Sequence, residues 1–472
     1  MSRLMVKKKY LIFFTAGVLL AISAAFLYIH LRPLSVEKVE LTGSAGNRLR
    51  FKVRVKTSIS CDAAIQYWKK GSKDTLYTAL SKNSSDHTIW ISNCSAPTDY
   101  QFRVIAGAGK KITRGKIHQF ETQPIYQATP YFDLEKMDTA FSPEMKDSYF
   151  LTQILTEPGS AVIIDHLGNI VWYQAFKKGV KVSHWTNDHT VLCIVGPEAV
   201  PSTGGDEIIE VNMAGETVRQ LQLGKGDMDK MVHHEVNKDD SGNIYALTFD
   251  KRIMDLSSAG GMKNDTVHAD GIVVFNPEGK KVWEWSALDY LEPLKDSAIL
   301  RHKKDMVHAN SVFKLKDGDF LVSFRDLNQV WRVAYPSGKL LWKFGENGDF
   351  PLDSLDRFSA QHFAHINQDG QLMLLDNGVK RKQTRALAFV IDSDTKKAEK
   401  MLEVNLPKEY YTTAKGNAGI FKTDHILFCL TDPRCFLITD RRGKIVWKVL
   451  VAGDPYRIEE VPGFLYPYPV FE

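Results

Sequence analysis

From residue 148 onward the chain repeats one short unit: an apolar run, a polar turn containing glycine, and a second run that often ends in tryptophan. The clear copies are Asp165-His-Leu-Gly168-Asn-Ile-Val-Trp172, Asn212-Met-Ala-Gly215-Glu-Thr-Val, Asn276-Pro-Glu-Gly279-Lys-Lys-Val-Trp283, Tyr335-Pro-Ser-Gly338-Lys-Leu-Leu-Trp342 and Asp440-Arg-Arg-Gly443-Lys-Ile-Val-Trp447. Their glycines lie 47, 64, 59 and 105 residues apart, and the last gap holds a degenerate copy at Ile391-Asp392-Ser-Asp-Thr-Lys-Lys. Glycine permits the positive φ of a tight turn, and the tryptophan fills space between outer strands. Six such units of roughly 50–60 residues predict a six-bladed β-propeller over residues 148–472.

Residues 36–123 have a different rhythm. Short alternating runs at Val39–Leu41, Leu49–Val55, Ala63–Trp68, His87–Ile91, Tyr100–Ala106 and Ile117–Thr122 are separated by Gly, Asn, Ser and Asp. That pattern predicts an antiparallel β-sandwich. Within it, Thr98-Asp-Tyr-Gln-Phe-Arg-Val104 resembles the sixth-strand signature of fibronectin type III modules. Residues 124–147, with Pro124, Pro130 and Pro143, read as a linker. The expected fold class is thus all-β, a fibronectin type III-like sandwich followed by a propeller.

One helix is expected ahead of it. Tyr10–Ile29 contains no charged residue, and at ~1.5 Å per residue it spans a hydrocarbon core of roughly 30 Å. Lys7, Lys8 and Lys9 precede it, so residues 1–9 stay cytoplasmic, 10–31 form a transmembrane anchor and the body is exported, to the periplasmic or extracytoplasmic side. Ser23-Ala24-Ala25 offers the competing reading of a cleaved signal peptide. The net charge of +5 is accounted for by Arg3, Lys7, Lys8, Lys9 and Arg32, with no acidic residue before Glu37. The remaining body is formally neutral, so it has no global field for a polyanion and no nucleic-acid partner is expected. Five cysteines exclude a disulfide scaffold. Cys429 and Cys435 flank a turn-forming stretch and are candidates to pair across a hairpin, while Cys61, Cys94 and Cys193 read as buried thiols.

Each repeat has an upstream half, and aligning those halves brings histidines together. His234 precedes its turn glycine, Gly242, by eight residues, and His362 precedes Gly370 by eight. His308 precedes Gly318 by ten, which keeps the same parity along a strand of period two. The first strand of a blade lines the central channel, so His234, His308 and His362 are expected to form one cluster. His365 and His184 read as structural. His233, adjacent to His234, is expected to face away from it. Arg325 ends the strand after His308 and would give three imidazoles a planar, permanently charged fork suited to a tetrahedral oxyanion. Asp376-Asn377-Gly378 reads as a hairpin turn.

Nucleotide cofactors lack a cradle, because neither Gly-x-x-x-x-Gly-Lys nor a post-strand Gly-x-Gly-x-x-Gly occurs. There is no Gly-x-Ser-x-Gly elbow, and no Cys/His cluster has zinc spacing. Two alternatives to a metal-free catalyst stay open at this stage: a propeller that only binds a ligand or partner, and a metal-dependent hydrolase using imidazoles from different blades.

Three strings in order, His233-His234-Glu, Asp305-Met-Val-His308-Ala-Asn310-Ser with Val-Ser-Phe-Arg325, and Gln361-His362 followed by Asp376-Asn377-Gly378, resemble the bacterial arylsulfate sulfotransferases over roughly residues 148–450. The resemblance implies transfer of a sulfuryl group from an aryl sulfate to a phenolic acceptor, with no nucleotide sulfate donor, no cofactor and no metal. It implies a ping-pong course through a sulfohistidine at His362. His308, Arg325 and His234 would bind the non-bridging oxygens and help protonate the departing phenolate. The chain departs from the family pattern at Phe324, where a small residue is usual, and in carrying Cys429 and Cys435 after His362.

Overall fold

The computed structural model describes residues 32–125, 131–156, 158–198 and 203–471. The expected transmembrane segment at 10–31 lies outside the described residues. Among those described, no helix is long and apolar enough to cross a membrane. The chain divides into two compact units, the first ending at Ile125 and the second at Phe464, with the residues after Phe464 rejoining the first.

The first unit is a seven-stranded antiparallel structure. The two expected runs Leu49–Val55 and Ala63–Trp68 belong to one strand, Asn47–Lys69. Its first half pairs with Val36–Ser44 on one edge and Ser81–Ile91 on the other. After a register break its second half pairs with Thr98–Ala108. Alternate residues Val53, Val55, Ile65, Tyr67, Tyr100, Phe102 and Val104 are buried, the period-two pattern of strands with one face on a core. Residues 465–471 were expected in the propeller but pack in this unit: Tyr468 meets Tyr77 at 5.3 Å between ring centroids.

The second unit is a propeller of six antiparallel sheets. Blade 2 is built from Gly179–Trp185, Thr190–Gly196, Glu207–Asn212 and Thr217–Gln222. Blade 3 comprises Val232–Lys238, Ile244–Met254, Asp265–Phe275 and Lys281–Ser286, with Gly204–Gly205 on its inner edge. Blade 4 uses Ala309–Lys314, Phe320–Phe324, Gln329–Val333 and Leu340–Gly345. Blade 5 uses His362–Ile366, Leu372–Asp376, Arg385–Asp392 and Lys397–Asn405. Blade 6 starts at Asn417–Phe421 and ends at Ile445–Val451. Middle strands such as Thr190–Gly196 are apolar and buried throughout because blades pack on both of their faces.

The ring closes twice. Ile458–Glu460 pairs with Tyr149–Ile154 as the innermost strand of blade 1. Phe132–Met137, placed by the sequence in a linker, pairs with Ile445–Val451 as an extra outer strand of blade 6. The expected linker at 124–147 is therefore corrected: its middle is a blade strand.

The repeat glycines Gly168, Gly215, Gly279, Gly338 and Gly443 all sit between the third and fourth strands with φ between 75° and 85°. In the degenerate copy Lys396 adopts φ 54°. The adjoining tryptophans latch neighbouring blades. Trp172 Nε1–H donates to Met213 O at 3.0 Å, Trp283 to Pro336 O at 2.9 Å and Trp447 to His166 O at 2.8 Å, each on the turn of the next blade. Trp342 faces the degenerate turn, and its Nε1 is buried without a hydrogen-bond partner.

The expected pairing of Cys429 with Cys435 is also corrected. Cys429 sits opposite Phe436, and Leu430 opposite Cys435, in one hairpin. Opposed residues share a face, so the two thiols lie on opposite faces of the blade. All five cysteines are buried and free.

Candidate active site

An antiparallel meander places the start of each inner strand and the turn between its second and third strands at the same end of the blade. His233 and His234 open the inner strand of blade 3, His308 immediately precedes that of blade 4, and His362 opens that of blade 5. Arg325 follows the second strand of blade 4, Asn377 that of blade 5, and Lys415 precedes the inner strand of blade 6. The six-fold arrangement therefore carries residues separated by up to 182 positions to one end of the axis. A cavity of about 460 Å³ there is lined by His233, His234, Asp305, His308, Arg325, His362 and Lys415, with Thr203 and Asp270 among the remaining walls. All four expected site residues are in it. The His234 and His308 ring centroids are 4.9 Å apart.

The backbone reaches this geometry by leaving regular strand conformation. His234, His308 and Phe363 have φ of 56°, 50° and 53°, and the register shifts between His233 and Val236, just after His308 between Ala309 and Ser311, and between His362 and His365. Such bulges re-aim side chains. This is why His233 lines the same cavity as His234, contrary to the parity expected of a regular strand. The two Nδ1 atoms are 2.7 Å apart, and His233 Nε2 is 3.1 Å from Asp270 Oδ1. The chain's closing segment holds this strand from below. Tyr456 donates its hydroxyl hydrogen to His234 O at 3.1 Å, and the buried Arg457 pairs with both oxygens of Glu235 at 2.6 Å.

His362 is held from three sides. Its Nδ1 lies 2.7 Å from Asn377 Oδ1 and 3.1 Å from Ala360 O, and the Lys415 backbone N–H donates to its Nε2 at 3.1 Å. The preceding side chain, Gln361, donates to Ser323 Oγ, Phe324 O and Gln329 O, tying the His362 strand to the turn that carries Arg325. Phe324, just before Arg325, is buried in the core and meets Trp331 edge-on at 4.6 Å.

The imidazoles are driven apart in basicity. Burial pushes His362 down to about 3, with the charges of His308 and Arg325 acting the same way against the Asn377 hydrogen bond. Burial, then the neighbouring histidines, hold His234 well below the ordinary value. Burial also opposes charge on His308, but the hydrogen bond and charge of Asp305, at 2.6 Å from Nδ1, outweigh it and raise the pKa. The site thus sets one imidazole whose charge is favoured by a carboxylate beside two whose charge is opposed by burial, plus the guanidinium of Arg325, which is half-buried and bonded to Asp326 at 2.6 Å.

His184 and His365 lie outside the cavity. His184 pairs with Glu459 at 3.0 Å, and His365 bonds Phe363 O at 3.0 Å. Among the described residues, no group of three His, Cys, Asp or Glu side chains is arranged to hold a metal ion. Sequence reasoning missed His233, Asp305 and Lys415, and it gave Asn377 only a turn. The placement of Asp305 three residues before His308 was the one available signal. A second cavity, about 560 Å³, adjoins through Asp305 and Arg325 and is walled by Met306, Leu327, Val379 and Lys380.

A family model described as arylsulfotransferase (ASST) matches residues 135–436. No curated protein matches the chain. Among solved structures it is similar to a protein of unknown function from Bacteroides caccae, at 12% identity and TM-score 0.42 over 67% of this chain and 99% of that one. It is also similar to a catalytically inactive virginiamycin B lyase from Staphylococcus aureus with quinupristin, at 12% identity and TM-score 0.34 over 68% and 99%. A third is a protein of unknown function from Bacteroides thetaiotaomicron, at 12% identity and TM-score 0.33 over 91% and 99%.

Proposed function

Because the chain belongs to the arylsulfotransferase (ASST) family, which supports aryl sulfotransferase activity in general, we propose that it moves a sulfuryl group from an aryl sulfate to a phenol in two steps through His362. The observation that carries this reading is the convergence of His234, His308, Arg325 and His362 on one cavity. In the first step the Nε2 lone pair of His362 attacks sulfur and the S–O bond to the aryl group breaks, its electron pair leaving on the phenolate oxygen. His308, protonated beside Asp305, supplies the proton to that oxygen. Arg325 and the histidines of blades 3 and 4 hold the non-bridging oxygens, whose negative charge such donors stabilise. In the second step an acceptor phenol gives its proton back to His308 as its oxygen attacks sulfur, and the N–S bond returns its pair to Nε2. No nucleotide sulfate donor is required.

The adjoining cavity beside Arg325, with Met306, Leu327 and Val379 in its walls, is where the aryl group sits on this reading. Residues 10–31 anchor the protein with its body exported, a reading supported by the uncharged segment and its preceding lysines. The first unit is a fibronectin type III-like module on the strength of Thr98–Val104. The test is a chromogenic aryl sulfate assayed with a phenol acceptor. His362→Ala is expected to lose transfer by roughly 10⁴-fold or more, the scale of removing a nucleophile, and full activity in that variant would sink the proposal.

A further inference from the structure

The hydrogen bonds around His362 fix where its proton sits. Asn377 is fully buried, and its Nδ2 donates to Lys415 O at 3.1 Å and Thr412 O at 3.3 Å. Only an amide nitrogen can donate to two carbonyls, so the Oδ1 faces His362 and must accept, which puts the imidazole hydrogen on Nδ1. The opposite ring edge gives the same answer independently. Lys415 N–H donates to Nε2, which therefore carries a lone pair and no hydrogen. Two partners on different blades thus select one tautomer.

We propose that Asn377 is the positioning residue of the reaction: it locks His362 as the Nδ1–H tautomer with Nε2 bare, and binds it to the 412–416 loop, whose Lys415 N–H passes from Nε2 to a sulfuryl oxygen as the N–S bond forms. The inference rests on His362 being the nucleophile. When the Nε2 lone pair enters the N–S bond, Lys415 N–H loses its acceptor and is left within reach of the oxygens on the sulfur just attached. Nδ1 keeps its hydrogen, so positive charge develops on the ring as the phenolate leaves. The Asn377 carbonyl dipole stabilises that charge without itself ionising, and Nε2 regains its lone pair when the N–S bond breaks. Neighbouring blades hold the loop in place. Thr384 Oγ1 accepts from Thr412 N–H at 2.9 Å, and Gly416 N–H donates to Tyr456 O at 3.1 Å.

The experiment combines ¹⁵N NMR of the full chain, labelled at histidine, with steady-state transfer kinetics of Asn377→Leu, Asn377→Asp and His362→Ala. Wild-type His362 is expected to show a protonated Nδ1 and a bare Nε2. Asn377→Leu should lower kcat about 100-fold, the usual scale for losing a group that orients an imidazole. KM for the aryl sulfate should stay within about 3-fold, because Asn377 lines no part of the cavity and contributes no uniform binding. Asn377→Asp keeps an acceptor on Nδ1 and should recover at least about 10-fold of that loss. A wild-type His362 protonated on Nε2, or an Asn377→Leu enzyme with unchanged kcat, overturns the proposal, and the NMR result stands even where the leucine variant fails to fold. Inactive His362→Ala beside fully active Asn377→Leu would reject the tautomer lock alone. Active His362→Ala would reject the nucleophile itself.

Discussion

The propeller bends its chain at both ends of each blade, and it uses different residues to do so. At the outer turns between third and fourth strands, left-handed backbone falls on glycine in five of six blades. At the inner end, where the cavity opens, it falls not only on Gly378 and Gly416 but also on His234, His308, Phe363 and Lys415. Left-handed backbone costs glycine nothing and costs other residues roughly 1–2 kcal/mol each. The outer layer is thus locally consistent, sequence agreeing with conformation, and closed by tryptophan latches. The inner layer is strained and buries imidazoles, held there by Gln361, Asn377 and the Tyr456–Arg457 segment. Strain that persists at such a place is held by the surrounding structure and goes with function.

That contrast makes activity and stability separable. His308→Gly removes the proton donor while allowing the backbone its φ of 50°. Transfer is expected to fall by about 100-fold or more, while denaturant unfolding shows stability changed by no more than ~1 kcal/mol, because relief at φ 50° offsets the freer unfolded chain and the lost pair with Asp305. A large loss of stability would mean that His308 is scaffold. Asp305→Asn probes the same pair through pH. Asp305 raises the His308 pKa, so the protonated donor is present below that pKa and is lost as pH rises through it. Without the carboxylate, burial lowers the pKa, and the alkaline limb of the kcat profile should move to lower pH. His362, near 3, stays neutral from mildly acid pH upward and should contribute no acid limb above that range. An alkaline limb unmoved in Asp305→Asn would separate His308 from proton transfer.

Outer substitutions should do the reverse. Trp447→Phe removes the bond to His166 O and part of a fully buried ring, so stability should drop by about 2 kcal/mol with kcat unchanged. The smallest effect is expected at the one outer turn that lacks glycine. Lys396→Gly relieves φ 54° but frees the unfolded chain and gives up the lysine's contact with the Phe350 ring at 5.4 Å. The net is a gain of about 0.5 kcal/mol, readable in a thermal melt and absent from the kinetics.

The same contrast explains what could be read from sequence. The outer turns were legible because their positive φ demands glycine, so the repeat is written in the residues themselves, and with it the six blades. His234, His308 and His362 were legible because they hang on that repeat. His233 was not, since the period-two rule presumes a regular strand and the bulge at His234 breaks it. Asn377 looked like a turn because its partners, Thr412 and Lys415, come from the next blade, and local sequence carries no trace of that contact. Phe132–Met137 looked like a linker because its partner strand begins 308 residues later, at Ile445. The cysteine pair was suggested by proximity in sequence and is excluded by which face of the hairpin each thiol takes.

The proposed mechanism turns on a covalent bond between sulfur and one imidazole nitrogen. The most direct measurement is to mix the enzyme with an aryl sulfate in the absence of a phenol, quench, and map the modified peptide by mass spectrometry. One sulfuryl group per chain on His362, discharged when a phenol is added, is the predicted result. Release of the phenol with no label on the protein, or label on any other residue, would contradict it.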